Sequence, residues 1–303
     1  MTKQKSLYIL NIFLFWMVAG ALSCSGQSAP PFDEQSAFNY LVKQCDFGPR
    51  NPGSVGHENC KDYLIKELRK FAERVSEQPF QHTFGPNRQT ATMTNIIANF
   101  NLSNSDRILL CAHWDTRPWA DHDDNPEKSN TPIIGANDGA SGVAVLLEIA
   151  RIIRTNIPKY GVDIILFDAE DCGNEGETNS WAVGSQEFAK HKDPRYHPRY
   201  GILVDLIGDA DLQIYQEQYS LNYAPDLVEK VWLKAEELGI IEFIPSPKYM
   251  VNDDHLPLLD VGIPCIDIID FDYPYWHTTQ DTPDKCSPES LGKVGRVVLS
   301  LLY

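Results

Sequence analysis

No two of the seven cysteines, at 24, 45, 60, 111, 172, 265 and 286, stand in a Cys-x-x-Cys pair. A structural zinc site of the cysteine type depends on such short spacing and is not expected. Cys45 and Cys60 could pair in an oxidising compartment, but connectivity cannot be read from a sequence. Cys111 and Cys265 sit in apolar, strand-like runs and read as buried thiols. Basic residues are also scarce: 26 Lys and Arg face 42 Asp and Glu. Nucleic acid is an improbable partner for such a surface, because phosphates require basic groups. An acidic surface alone indicates little more than solubility. Past the N-terminal segment no second apolar stretch is long enough to span a bilayer. After residue 31 there is no internal repeat, low-complexity block or long linker. The length suits one large single-core domain, or at most two small ones.

The N-terminus carries an address. Lys3 and Lys5 precede an apolar run over 7–22, which ends in Ala21-Leu22-Ser23-Cys24. A basic start, an apolar stretch and a small-residue exit make a secretory signal over residues 1–23. A permanent anchor is the alternative, since the run is near the lower limit for a spanning helix. Cleavage is favoured because polar Ser25-Gly26-Gln27-Ser28 and then Pro30-Pro31 follow at once. Ser23-Cys24 also resembles a bacterial lipoprotein cleavage site, which would leave Cys24 lipidated and the protein membrane-anchored. The protein is expected to be exported, and periplasmic. Removing the signal loses two lysines and no acids, so the mature charge is 24 − 42 = −18. A short linker is expected over 24–35, and one catalytic domain over 36–303.

Hydrophobic spacing predicts helices at 34–46 and 54–72, the second with Tyr63, Leu64, Leu68 and Phe71 on one face. Strands are predicted at 90–100, 106–112, 162–167, 201–207 and 264–269, with helices at 180–190, 223–238 and 287–302. Asp138 is read as opening a further helix whose buried stripe is Val143, Leu146, Leu147, Ala150 and Ile153. Strands alternating with helices imply a single α/β domain. Its central sheet should be mostly parallel but mixed, and flanked by helices.

The chemistry-bearing residues fall at strand ends. His113 and Asp115 follow the 106–112 strand, and Asp168, Glu170 and Asp171 follow the 162–167 strand. Asp205 closes the next strand, and His277 follows the 264–269 strand by a loop. In open α/β sheets the carboxyl ends of the strands form the active-site edge. Imidazoles and carboxylates converging there have the donor character of a zinc or other divalent-metal site. Singly, each has an ordinary reading. Asn137-Asp138-Gly139 can be a turn with a helix N-cap. Asp168-Ala-Glu-Asp171 can be an acidic loop, and His277, among Tyr273, Tyr275 and Trp276, a satisfied core histidine. Asp205 is harder to dismiss, since a carboxylate inside an apolar strand needs a partner to offset desolvation. All of them on one edge make a site.

The order Gly48-Pro49-Arg50-Asn51-Pro52-Gly53-Ser54, His113-Trp-Asp115, Asn137-Asp138-Gly-Ala-Ser-Gly142, Asp168-Ala-Glu170-Asp171 and Trp276-His277-Thr278 resembles the zinc aminopeptidase (M28-like) superfamily. The resemblance spans roughly residues 36 to 302. Within it, Leu203-Val-Asp205-Leu-Ile-Gly208, Asn252-Asp253-Asp254-His255-Leu-Pro257 and Trp276-His277-Thr278 look most like the glutaminyl-peptide cyclotransferases. That resemblance implies a bacterial enzyme that converts N-terminal Gln of peptides and proteins to pyroglutamate with release of ammonia. It implies one zinc per chain on Asp138, Asp171 and His277, with Glu170 as general acid/base. Asp205 and Asp253 would support the substrate amine and a proton network, and Trp181, Trp276 and Asp267 would belong to the substrate pocket. Two positions depart from the animal cyclases. Asp171 replaces a Glu ligand, and Asp267 stands where those enzymes carry a histidine behind the metal ligands.

The rival is a dinuclear aminopeptidase, in which His113 and Asp205, with Asp115 beside them, would hold or support a second metal and Glu170 would activate a metal-bound water. One zinc per chain would favour the cyclase and two the peptidase. A non-catalytic relative, such as a receptor ectodomain, is disfavoured because every ligand position and the base are filled.

Overall fold

The computed structural model describes residues 28–303. The signal expected over 1–23 and the lipidation site at Cys24 lie outside the described residues. The expected linker is only partly one. Phe32 packs on the core, and a Cβ at Gly295 would meet its ring at 2.3 Å. Helix α1 (Glu34–Cys45) then starts within it, capped by the Asp33 carboxylate, which accepts from the Ser36 amide.

Helix α2 (Val55–Phe71) begins where the Ser54 hydroxyl accepts from the His57 N–H at 3.0 Å while donating to the Pro49 carbonyl at 3.0 Å. This N-cap satisfies an amide that the first helical turn leaves without a partner. Ser54→Ala is expected to cost about 1 kcal/mol and to lower the thermal midpoint by roughly 2–4 °C. Circular dichroism on heating checks this, and an unchanged midpoint would remove the cap from the stability argument.

Six strands form the main sheet in the order β1 (Arg74–Phe84), β2 (Gln89–Phe100), β4 (Gly161–Phe167), β3 (Arg107–His113), β5 (Gly201–Asp205), β8 (Cys265–Ile269). β3, β4, β5 and β8 pair in parallel, while β2 is antiparallel to both β1 and β4. The expected mostly parallel, mixed sheet is present. β4 is buried along its whole length, as a strand covered on both faces must be. One face carries α1, α2, α3 (Ala140–Thr155), α6 (Pro225–Glu237) and α8 (Pro288–Ser300). The other carries α4 (Val183–His191) and α7 (His255–Asp260), whose Phe188 and Leu258 pack on Leu109, Ile165 and Leu203.

Several boundaries differ from expectation for local reasons. α3 starts at Ala140 rather than Asp138, because Gly139 takes φ 89°, outside helical space. β5 stops at Asp205 and α4 starts at Val183, because Leu206 (φ 50°) and Ala182 (φ 54°) are left-handed. β1 was not expected: it is a polar edge strand with Pro79 in it, mostly exposed, and its inward positions include Gln78 and His82, so its alternation in burial is not written as one in hydrophobicity. The two-stranded sheet of β6 (Ile214–Gln216) and β7 (Phe243–Pro247), helix α5 (Gln218–Tyr223) and the short α7 were likewise unanticipated. Cys45 and Cys60 are buried free thiols in this structure, and burial pushes each up to about 12. Cys111 and Cys265 are buried, as expected. No helix among the described residues is long and apolar enough to cross a membrane.

Candidate active site

The carboxyl ends of β3, β4, β5 and β8 deliver His113, Asp168, Asp205 and Ile269 to one edge of the sheet. Backbone strain gathers there. Of six non-glycine residues with positive φ among the described residues, Ala169, Ala182, Leu206 and His277 are or adjoin predicted site residues. Such conformations cost free energy and persist only where the surroundings enforce them.

Asp138 reaches the edge because α3 packs unusually close to it. A Cβ on Gly142 would meet the Val204 carbonyl at 2.2 Å, and one on Gly139 the Asp115 carbonyl at 2.6 Å. Asp281 accepts from the Asn137 and Asp138 amides at 2.8 and 3.1 Å, anchoring the turn before the helix. On the β4 side, Asp115 does the equivalent work. Its two carboxylate oxygens accept from the Glu170 and Asp171 amides at 3.1 and 3.2 Å. Asp115 therefore holds the turn that presents Glu170 and Asp171, and is itself fully buried.

His277, Asp171 and Asp138 converge. His277 Nε2 lies 3.0 Å from Asp171 Oδ1 and 3.8 Å from Asp138 Oδ2. One donor atom from each falls within 4.8 Å of the others. Asp138 Oδ2 and both oxygens of Asp171 are buried without a hydrogen bond. Buried anionic atoms of this kind are costly unless a cation engages them. Burial, then the facing Asp138 carboxylate, pushes Asp171 up to about 6, so a cation between the two would relieve both. One imidazole and two carboxylates are donors suited to zinc, with a coordination position left for substrate. The residues fit that ion.

A second group, His113, Asp138 and Asp205, shares Asp138. His113 Nε2 is 3.2 Å from Asp138 Oδ1 and 3.1 Å from Asp205 Oδ1. Burial disfavours an imidazolium at His113, but Asp205 and its other carboxylate neighbours outweigh it and hold the ring well above its usual range. A third group, Asp121, His122 and His277, is a poorer site. Both oxygens of Asp121 are already taken by Arg117, at 2.8 and 2.5 Å.

Asp138, Asp171 and His277 open into a cavity of about 170 Å³, lined also by Glu170, Asp205, Asp253, Trp181 and Trp276. The Trp276 ring stacks on His277 at 3.7 Å, and Trp181 lies parallel to His277 at 6.0 Å. Glu170 is nearly buried, and burial followed by the Asp253 charge holds it well above the usual carboxylate range. Asp253 is pushed up to about 7 by burial and then by Asp205.

Asp267 is not in the pocket, contrary to expectation. Ile269, at the end of β8, takes the lining position, and Asp267 lies two residues deeper on the same face of the strand. It is fully buried, neither carboxylate oxygen has a hydrogen bond, and burial with the nearby Asp253 charge raises it well above its usual range. Asp168 is also set back, bonded to His57 Nε2 at 2.9 Å and to the Thr94 amide. Sequence reasoning passed over Arg117 and Asp121, whose signal was slight: an Arg and an Asp at helical spacing just past the His113-Trp-Asp115 triplet.

The sequence pattern of peptidase family M28 matches residues 95–302, more than half of the chain. The solved structure of the Bacteroides thetaiotaomicron glutaminyl cyclase bound to N-acetylhistamine has a TM-score of 0.87 at 39% identity, covering 91% of this chain and 99% of that one. A Zn-dependent exopeptidase from Parabacteroides distasonis has a TM-score of 0.88 at 40% identity, over 91% and 99% of the two chains. Among sequences, the glutaminyl-peptide cyclotransferase of Bos taurus is 23% identical, over 84% of this chain and 79% of that protein.

Proposed function

The chain belongs to peptidase family M28, and we propose that within it the protein is a zinc-dependent glutaminyl-peptide cyclotransferase acting on N-terminal Gln of peptides and proteins. The carrying observation is the cavity itself. Ligand pockets run to roughly 300–1,000 Å³, whereas this one, at about 170 Å³, suits a single side chain between two tryptophans, with carboxylates at its base. The reading is that of an intramolecular aminoacyl transfer.

In this mechanism Asp138, Asp171 and His277 would hold one zinc, which when bound would supply Lewis-acid polarisation of the γ-carboxamide carbonyl. The substrate's α-amine is the nucleophile, so attack needs no enzyme nucleophile and gains from being intramolecular. A bond forms from the amine nitrogen to the carboxamide carbonyl carbon, Cδ, closing a five-membered lactam, and the bond from that carbon to the amide nitrogen breaks. Glu170 takes the proton that the amine sheds and returns it to the departing nitrogen, which leaves as ammonia. Asp205 and Asp253, on the same cavity wall, support the amine. Trp181 and Trp276 enclose the side chain and keep water from competing with the amine.

One observation favours a second reading: the His113–Asp138–Asp205 group shares a ligand with the first, as a dinuclear aminopeptidase would require. Both are tested on purified mature protein with added zinc. Mass spectrometry follows a peptide beginning with Gln beside a matched one beginning with Leu. Loss of one ammonia from the Gln peptide alone, with one zinc per chain by elemental analysis, supports cyclisation. Release of the first residue from either peptide, with two zinc ions, supports the peptidase instead.

Export belongs to the same proposal, motivated by the basic start and apolar run over 1–23. Exported proteins whose processing exposes Gln are then natural substrates. Intact mass of the protein recovered from cells tests it, and a mature chain beginning at Met1 would end it.

A further inference from the structure

Arg117 is buried in the wall behind the candidate metal triad, and its guanidinium does three things at once. It grips Asp121 with two nitrogens, Nε to Oδ1 at 2.8 Å and an Nη to Oδ2 at 2.5 Å. With its other Nη it donates to the carbonyls of Asp171 and Gly173 at 3.0 and 3.1 Å. Its face lies between two indoles, 5.0 Å from the ring of Trp119 and 4.6 Å from that of Trp181. A forked, planar cation is needed for this, because an ammonium cannot bind a carboxylate bidentately, reach two further carbonyls and stack.

The far side of Asp121 faces His277. Its Oδ1 lies 3.5 Å from His277 Nδ1, while Nε2 of the same ring points to Asp171 and Asp138. Nδ1 is buried and forms no hydrogen bond at this distance. A shift of a few tenths of an ångström by either group would complete the bond. Metal-binding histidines usually donate their second ring N–H to such a carboxylate, which sets the tautomer and the ring's direction. Because Arg117 occupies both its oxygens, Asp121 is suited to accepting a hydrogen bond rather than to binding a metal.

We propose that Arg117 and Asp121 form a positioning pair for the metal triad. Asp121 orients His277 through Nδ1, and Arg117 sets Asp121 and, through backbone carbonyls, the loop bearing Asp171. Two ligands from distant parts of the chain are thereby tied to one guanidinium. The proposal rests on the reading that Asp138, Asp171 and His277 hold zinc.

The test measures zinc affinity of the purified metal-free protein by competition with a chromophoric chelator, alongside its thermal midpoint without metal. Asp121→Ala is expected to weaken zinc binding about 10–100-fold, more than is accounted for by the lower metal-free midpoint that follows from leaving the buried Arg117 without its carboxylate. Asp121→Asn, which keeps an acceptor oxygen for Nδ1–H, should recover part of that loss. Zinc affinity for Asp121→Ala within twofold of the parent overturns the positioning role alone. A fall in its metal-free midpoint that accounts for the weaker binding makes Asp121 merely structural and overturns the proposal as well. A parent protein that takes up no zinc overturns both this proposal and the reading beneath it.

Discussion

Glu170→Gln is expected to lower turnover on an N-terminal Gln peptide about a hundred- to ten-thousand-fold, the usual range for general acid–base catalysis. Zinc content should stay at that of the parent. The substitution is isosteric, and Glu170 is nearly buried, so the cavity keeps its shape. Its backbone amide still donates to Asp115, so the turn presenting Asp171 is undisturbed. None of the three residues proposed to hold zinc is altered. What is lost is a group able to take a proton from the amine and return it to the leaving nitrogen. The loss should therefore appear in kcat, with KM little changed, because binding of the Gln side chain does not require the proton to move. Ammonia release measured by a coupled assay, with elemental analysis for zinc, separates the outcomes. Turnover within tenfold of the parent removes Glu170 from the proton path. Loss of zinc together with activity would make it a support of the metal site rather than its acid and base.

The parts of this protein that were legible in its sequence are those written in short-range patterns. β3, β4 and β5 end in or next to His113, Asp168 and Asp205, and an apolar strand that stops at a polar residue can be recognised without knowing what it packs against. The family resemblance was legible for a related reason, since its motifs sit on those same strand ends. What stayed hidden depends on long-range contact. Arg117 and Asp121 become important only when Asp171 and His277, 54 and 156 positions further on in the chain (171 − 117, 277 − 121), fold back against them. Asp267 was placed in the pocket by resemblance alone, and neither resemblance nor the alternation along β8, which gives the face a side chain occupies, gives its depth. The lining position belongs to Ile269, two residues on. The helix starting at Ala140 rather than Asp138 has the same origin. A periodic pattern marks the stripe of α3, but the left-handed Gly139 answers to the crowding of the Asp115 carbonyl, which is a tertiary fact.

Arg50→Met should destabilise the protein by about 3–5 kcal/mol, as two buried carbonyls and one half-buried one lose their donor at about 1–3 kcal/mol each with partial relaxation. The Arg50 side chain is wholly buried in the turn ahead of α2. Nε donates to the Trp114 carbonyl at 3.0 Å, and the two Nη donate to the Ile134 and Gly135 carbonyls, each at 2.7 Å. The segment around 134–136 is irregular, so its carbonyls have no sheet or helix ladder to join. Methionine matches the length of the Arg stem but donates nothing. Relief from burying a cation offsets part of the loss, because Arg50 faces carbonyls rather than a carboxylate. For a domain of this size the thermal midpoint should fall by roughly 10 °C, measured on metal-free protein by calorimetry. Arg50→Lys should fall between the two, since one ammonium cannot reach three divergent carbonyls. The effect should extend to chemistry, because Ile134 and Gly135 lead directly into Asp138, and a slack loop there would lower zinc content as well as stability. A Met variant that melts within about 2 °C of the parent would mean that water or a local shift satisfies these carbonyls, and Arg50 would then have no special part in placing Asp138.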